Sequence, residues 1–284
     1  MKFENTRVFN FEGAIRGMRN PKESWDKSDS GDVVMNLEDV SFGYPPNIEY
    51  VLGENDLKLA QRLIRAGSEH RKFMRQIIVS VDITAPLYWW KEFDTYKVGT
   101  VANSTSTMHT IQNKPITKEL FEISDYHPEL DMIDDINLGT RVDCFINDLE
   151  QLRQLFLMTK DEEVKKWYWK ELIRWLPEGW LQTRTVTMTY ENLFAMCSPG
   201  QRRFHKQTEW SKDFILWARS LPYAQQLIFL DELDAQKEKE RPAADKIAGL
   251  IRSAIFTAQQ ETVNIDTFME IISGEINRAV EKAR

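Results

Sequence analysis

The sequence predicts an α+β fold, a small sheet in the N-terminal third followed by a helix-rich body. Three observations carry that prediction. Residues 75–84, RQIIVSVDIT, alternate, with Ile77, Val79, Val81 and Ile83 on one side and Ser80 and Asp82 on the other. Residues 54–66, ENDLKLAQRLIRA, set Leu57, Ala60, Leu63 and Ile64 at helical spacing. Beyond residue 140, amphipathic helical patterns follow one another. A chain of 284 residues holds one large domain, or one domain with an appendage.

Charge and cysteine content narrow the function classes. A net charge of −7 argues against generic attraction to a nucleic acid polymer and leaves room for a local basic pocket. Cys144 and Cys197 cannot build a disulfide framework, and no CxxC spacing occurs. The N-terminus lacks an apolar signal core. The longest apolar runs fall well short of the ~20 residues that span a membrane. A cytoplasmic protein without membrane association is expected.

Along the chain, MKFENTRVFNF reads as a strand around Val8, Phe9 and Phe11. Gly13–Arg19 reads as a short helix that ends at Asn20-Pro21, because a residue before proline disfavours the helical region. KESWDKSDSGD is polar loop, and VSFGYPPNIEYV is turn-rich. Gly67 suits the C-terminal cap of the 54–66 helix. Pro86 suits a helix N1 position, and LYWWKEFDTYK continues from it as helix. The hydroxyl-rich stretch 99–115 predicts a loop or helix edge, since Ser, Thr and Asn side chains compete for backbone hydrogen bonds. Thr117–Glu122 opens a short helix. Residues 125–139 are acidic, with Pro128 and Gly139 as breaks.

TRVDCFINDLEQLRQLFLMTK and DEEVKKWYWKELIRWL read as two long amphipathic helices, broken after by Pro177-Glu178-Gly179. TVTMTYENLFAMC reads as a third helix, Ser198-Pro199-Gly200 as an interruption, and 205–220 and 223–237 as two more. The charged segment 236–246 is a junction before helices at 242–258 and 264–282. The domain expectation is therefore 1–239 for the α+β body and 240–284 for a C-terminal helical appendage with a packing or oligomerisation role.

No metal site is expected: His70, His109, His127 and His205 form no HExxH or similar set. GxSxG, Walker A and GxGxxG patterns do not occur. The acidic stretch ELDMIDDIN could gather Mg²⁺ or stay solvated. Arg202 and Arg203, with His205 and Lys206, place four potential cations in five residues. They form either an anion pocket or a basic helix face paired with Glu191 or Glu209. Trp89 and Trp90 are either core aromatics or a stacking platform for a flat ring.

From His70 to His109 the order of elements resembles the flavin-dependent thymidylate synthases. That family places a His, a strand and a proline before the signature R-H-R-x-x-S-x-N-E-x-S-x-R. Counted from Pro86, the signature falls without a gap on Thr95–Thr107, TYKVGTVANSTST. Tyr96 stands for its His, Lys97 for its second Arg, Thr100 and Thr105 for its two Ser, and Asn103 for its Glu. Thr95, Ala102 and Thr107 replace an Arg, an Asn and an Arg, and Lys91-Glu92 replace an Arg-Gln pair. A second family segment has Asn, a short helix, an Arg and H-A-Q-x-E-I-R. Here Asn192 opens it, Arg202 or Arg203 supplies the Arg, and HKQTEW follows, with Ser211 and Lys212 at its end. The correspondence spans roughly residues 50–225.

The resemblance implies a FAD-dependent methyltransferase that converts dUMP to dTMP. Methylenetetrahydrofolate and NADPH would be co-substrates, and a homotetramer the assembly. It implies catalytic roles for Tyr96, Lys97 and Arg203. Cofactor contacts fall to His70, Lys97, Asn192 and His205. Substrate contacts fall to Lys91, Thr100, Asn103, Thr105, Arg202 and Arg203. A catalytically inactive nucleotide-binding homologue is the alternative, and a structural oligomer with aromatic interfaces is a third reading.

Overall fold

The computed structural model describes residues 1–36, 38, 41, 42, 45–96, 98–124, 132, 133, 136–260 and 273. By compactness the chain divides into Met1–Ile228 and Phe229–Arg284. The first unit has the expected α+β architecture.

Its centre is a four-stranded antiparallel sheet of order β1-β4-β8-β5. The strands are β1 (Lys2–Phe9), β4 (Ile78–Pro86), β5 (Val101–Ser104) and β8 (Leu181–Thr189). The period-2 pattern of β4 orients it: Val79, Val81 and Ile83 are buried, while Ser80, Asp82 and Thr84 lie on the other, more open face. β1 departs from regular pairing between Glu4 and Arg7. Asn5 sits there at φ 53°, a left-handed conformation that asparagine tolerates. Its amide donates to Asp82 at 2.8 Å, and the Thr185 hydroxyl donates to the same carboxylate at 2.6 Å. Three strands are thereby cross-linked on the open face.

A separate ladder joins β2 (Gly31–Val34) to β3 (Ile48–Val51). The first helices are α1 (Phe11–Arg19) and α2 (Glu54–Arg65), and α2 ends at Gly67 with φ +108° as the sequence predicts. Asp56, buried in the first turn of α2, accepts Arg19 Nε at 2.6 Å, both hydroxyls of Ser28 and Ser30, and the backbone N–H groups of Asp29 and Ser30. This hub fastens the 24–30 loop to two helices.

After β4, Pro86 occupies the N-cap and α3 (Leu87–Phe93) follows. Trp89 and Trp90 are 0% and 1% exposed. Trp89 stacks on Phe93 at 5.2 Å and meets Trp210 at 5.5 Å. The pair is core, so the stacking-platform alternative does not hold: both rings already have aromatic partners and no free face. A short helix α4 (Thr107–Thr110) follows β5. Met132–Ile133 (β6) and Ile136–Asn137 (β7) form a two-residue ladder, while the rest of the acidic 125–135 stretch lies outside the described residues. The helical hairpin α5 (Leu138–Met158) and α6 (Glu162–Arg174) covers a second core that includes Ile146, Leu149, Leu172 and Trp180. Asp161 caps α6 by accepting from the Glu163 and Val164 N–H groups.

Several predicted elements are corrected, among them the helix expected over 223–237, which breaks at 228–229. Residues 181–189 form strand β8, not the start of a third helix. Thr183, Thr185, Thr187 and Thr189 alternate with inward Val186 and Met188, and nine register pairs with β4 decide the outcome. Cross-strand pairing and burial override the local helical reading. Residues 101–104, expected as loop, form strand β5, because β8 presents a hydrogen-bonding edge to them. The sheet therefore extends beyond the N-terminal third.

Helix α7 (Tyr190–Met196) begins directly after β8 with a capping box between Thr189 and Asn192. Ser198 is the N-cap of α8 (Pro199–Phe204), so Ser198-Pro199-Gly200 starts a helix as well as interrupting one. A π turn at Glu209–Phe214 leads into α9 (Ile215–Arg219), and α10 (Ala224–Leu227) closes the unit.

In the second unit, α11 (Leu230–Gln260) runs unbroken through the charged 236–246 segment that the sequence suggests as a junction. The predicted 264–282 helix lies outside the described residues except for 273. Among the described residues, no helix is long and apolar enough to cross a membrane.

Candidate functional site

A cavity of about 720 Å³ opens where the turn after α3, the start of α7 and the turn before β4 converge. Tyr96, Val98 and Gly99 form one wall, Thr189, Glu191, Asn192 and Ala195 another, and Arg75 the third. Its volume lies within the usual range for small-molecule sites, roughly 300–1,000 Å³.

Local chemistry explains how these residues are held. Asn192 is the third residue of α7. Its side-chain oxygen accepts from the Thr189 N–H at 2.9 Å and from the Thr189 hydroxyl at 2.8 Å. Its Nδ2 donates to the Val98 carbonyl at 2.7 Å. The helix cap and the turn are thus joined through one side chain. Gly99, at φ +79°, lets the chain reverse there, with Asn192 beneath it.

Tyr96 is half-buried, its ring 5.1 Å from Trp210. Burial and then the Glu92 carboxylate, to which the phenol donates a hydrogen bond, push its pKa above the usual tyrosine value. His205 stacks on the same Trp210 at 4.9 Å, and its Nε2 lies 3.3 Å from Glu92. Tyr96 and His205 therefore share both an aromatic partner and a carboxylate.

Among the described residues, the cavity lining carries the Glu191 carboxylate and the Arg75 guanidinium, and Arg71 pairs with Glu191 from outside that lining. Arg71 Nε donates to both oxygens of Glu191, at 3.0 and 3.1 Å. Arg75 reaches Glu191 only at 4.0 Å and is 51% exposed, so its guanidinium can turn to an incoming anion. The Tyr96 ring and the exposed Arg75 guanidinium together suit a flat ring that carries a phosphate.

The predicted site residues disperse. Tyr96 and Asn192 meet at the cavity. Lys97 lies outside the described residues. Thr100 follows the Gly99 turn, half-buried. Asn103 is exposed on β5 opposite Thr185, and Thr105 bonds the Thr183 carbonyl through its N–H at 2.9 Å. Lys91 pairs with Glu178. Arg202 donates to the Cys197 carbonyl, and Arg203 is exposed on α8. Glu191 is taken by Arg71 and Glu209 by the Tyr88 hydroxyl. His70 lies in the turn after α2 and lines a different groove.

Sequence reasoning missed Arg71, Arg75 and Gly99, and named Glu191 only as a partner for the Arg202–Lys206 cations, where the structure pairs it with Arg71. The i, i+4 spacing of Arg71 and Arg75 beside His70 was a readable signal, as was a lone glycine in a hydroxyl-rich run.

No protein-family model and no curated protein sequence matches the chain. Among solved structures it is similar to the flavin-dependent thymidylate synthase ThyX from Helicobacter pylori, solved with FAD and dUMP. The alignment has a TM-score of 0.51 and 16% identity, over 81% of this chain and 99% of that chain. A second Helicobacter pylori ThyX structure, also with FAD and dUMP, aligns at a TM-score of 0.49 and 15% identity, over 79% and 95%. At such identity the relationship is a distant one of fold.

Proposed function

We propose that the chain is a divergent flavin-dependent thymidylate synthase that binds FAD and dUMP at the Tyr96–Asn192 cavity and forms dTMP. The observation that carries this reading is the 2.7 Å bond from Asn192 Nδ2 to the Val98 carbonyl. It joins the two segments whose order resembles that family at one cavity of ligand size. The fold likeness to an enzyme solved with FAD and dUMP supports the same reading.

The lining fits such ligands in kind. Arg75 would take the nucleotide phosphate, with Lys97 and Arg203 as further cations from the resemblance. Tyr96, its phenol bonded to Glu92, would offer its ring to the ligand. Bound there, reduced flavin supplies hydride, while methylenetetrahydrofolate supplies the carbon and NADPH the reducing equivalents. The chain's own part is to bind, orient and exclude water.

A homo-oligomer, a tetramer by resemblance, and a cytoplasmic location belong to the same proposal. Met158, Trp167 and Trp175 on the α5–α6 hairpin are 68%, 55% and 56% exposed, which supports a subunit interface there.

FAD titration followed by visible absorbance, then a dTMP-formation assay, tests the proposal. Expected are a protein-bound flavin spectrum and turnover. Flavin or dUMP binding without turnover would favour the inactive homologue, and neither binding nor turnover would overturn the proposal.

A further inference from the structure

Among the described residues, β2 and β3 pair only with each other and stand apart from the central sheet. A two-stranded ribbon is marginal by itself, and a third strand stabilises it. The ribbon precedes most of the 50–225 segment that carries the family resemblance, so the flavin reading gives it no role.

Its register leaves one strand edge open. The Met35 N–H donates to the Asn47 carbonyl at 2.8 Å, one step beyond the Val34↔Ile48 pair. Antiparallel pairs alternate between bonded and non-bonded. Gly31 and Val33 therefore bond towards β3, while Asp32 and Val34 turn their N–H and C=O groups outward. Among the described residues nothing bonds to those outward groups. Proline, lysine or a bulge commonly guards such an edge, and β2, GDVV, has none of them.

The side chains beside the edge decide what fits it. Val33 and Met35 are 46% and 54% exposed on one face, and Asp32 alternates with them onto the other. Ile48, opposite Val34, is 55% exposed. Between Gly31 and Val51 the sequence holds Asp32, Glu38, Asp39 and Glu49 and no Lys, Arg or His. Asp32 and Glu49 are exposed and have no ion-pair partner among the described residues. Two copies joined edge to edge would set these acidic ribbons against each other, and like charges facing across a strand pair are destabilising. A basic strand meets the opposite: its cations face Asp32, and its apolar residues face Val33 and Met35.

We infer that the free edge of β2 accepts an added strand from a basic protein segment in which Lys or Arg alternates with apolar residues. Main-chain hydrogen bonds to Asp32 and Val34 supply the affinity, and the acidic and apolar side chains beside them supply the selectivity. The ribbon shares no residue with the Tyr96–Asn192 cavity, so the inference stands whether or not the flavin reading holds.

The test is fluorescence anisotropy of a short labelled peptide of alternating Lys and Val, titrated with the full chain. Two further peptides carry methyl groups on alternate backbone nitrogens, one at the Lys and one at the Val positions, and keep the same charge. One of them is expected to bind at least tenfold more weakly than the other, because only one edge of an added strand faces β2. Val34→Pro removes an N–H that the ladder does not use and is expected to weaken the parent peptide tenfold or more. Asp32→Lys combined with Glu49→Lys should do the same and favour a Glu-Val peptide instead. Both side chains are exposed, so the melting temperature of that double variant should not move. No anisotropy change at millimolar protein, equal binding of the two methylated peptides, or an unaltered affinity in the double variant would each overturn the assignment. So would a parent protein that self-associates in sedimentation and dissociates on Val34→Pro, since a second copy would then hold the edge.

Discussion

Asn192 Nδ2 donates to the carbonyl of Val98 at 2.7 Å, across 94 residues of sequence. The same side chain closes the capping box of α7 with Thr189. One amide therefore sets both the start of a helix and the position of the turn that carries Tyr96. Replacement by Ala should cost about 2 kcal/mol, about half from the cap and half from the lost bond to Val98. Replacement by Asp keeps a cap acceptor and removes only the donor. Thermal melting should therefore rank the parent above Asn192→Asp and that above Asn192→Ala. Hydrogen exchange should show 96–100 loosened in both. Equal stability of the two variants would contradict the dual role.

Gly99 turns at φ +79° above Asn192. Its Cβ position has ordinary space, the nearest atom being Asn192 Nδ2 at 3.7 Å. The cost of Gly99→Ala is thus conformational, roughly 1–2 kcal/mol. Denaturant melts should show that loss, and on the proposed flavin reading FAD affinity should fall with it. An unchanged melt would mean the turn relaxes freely.

Asp56 is fully buried and gathers Arg19, Ser28 and Ser30. Burial raises its pKa, and the hydrogen bonds from Ser28, Ser30 and Arg19 outweigh that and lower it. Removing it strands a buried guanidinium. Asp56→Ala should destabilise the protein by about 3–5 kcal/mol, readable as a lower urea midpoint. A loss under about 1 kcal/mol would show that the hub contributes little.

Glu150 ties α5 to the 111–116 segment. It accepts from Arg153 and from the Ile116 N–H at 2.7 Å, while Arg153 donates to the Gln112 carbonyl at 2.8 Å. Hydrogen bonding from Arg153 outweighs burial and holds its pKa down at about 2, from an ordinary 4.5. A depressed folded pKa contributes stability above the unfolded value. That contribution, about 1–3 kcal/mol after allowance for solvent, should be whole above pH 4.5 and lost as pH falls towards 2. Glu150→Gln should melt lower than the parent at pH 7 and converge with it near pH 2. A constant gap across that window would refute the linkage.

Much of the fold was legible because some segments carry one unambiguous period. β4 alternates apolar and polar, and its inward residues are buried as read. α2 repeats at 3.6 residues and ends at its glycine. β8 and β5 were not legible in the same way. TVTMTYENL holds a strand pattern and a helix start in succession, and only pairing with β4 shows where one yields to the other. Val101–Ser104 has small polar side chains with weak preference, and becomes a strand because β8 offers it an edge.

By itself the sequence determined an α+β chain, its first strands and helices, and the positions of Tyr96 and Asn192 as members of two separated segments. Tertiary structure alone decided that these two share a cavity, that Trp89 and Trp90 are core, and that Arg75, not Arg202, faces that space. The physical reason is range. Periodicity reports the face a residue turns to its own element, whereas a site is made by hydrogen bonds and packing between elements that the chain order leaves far apart.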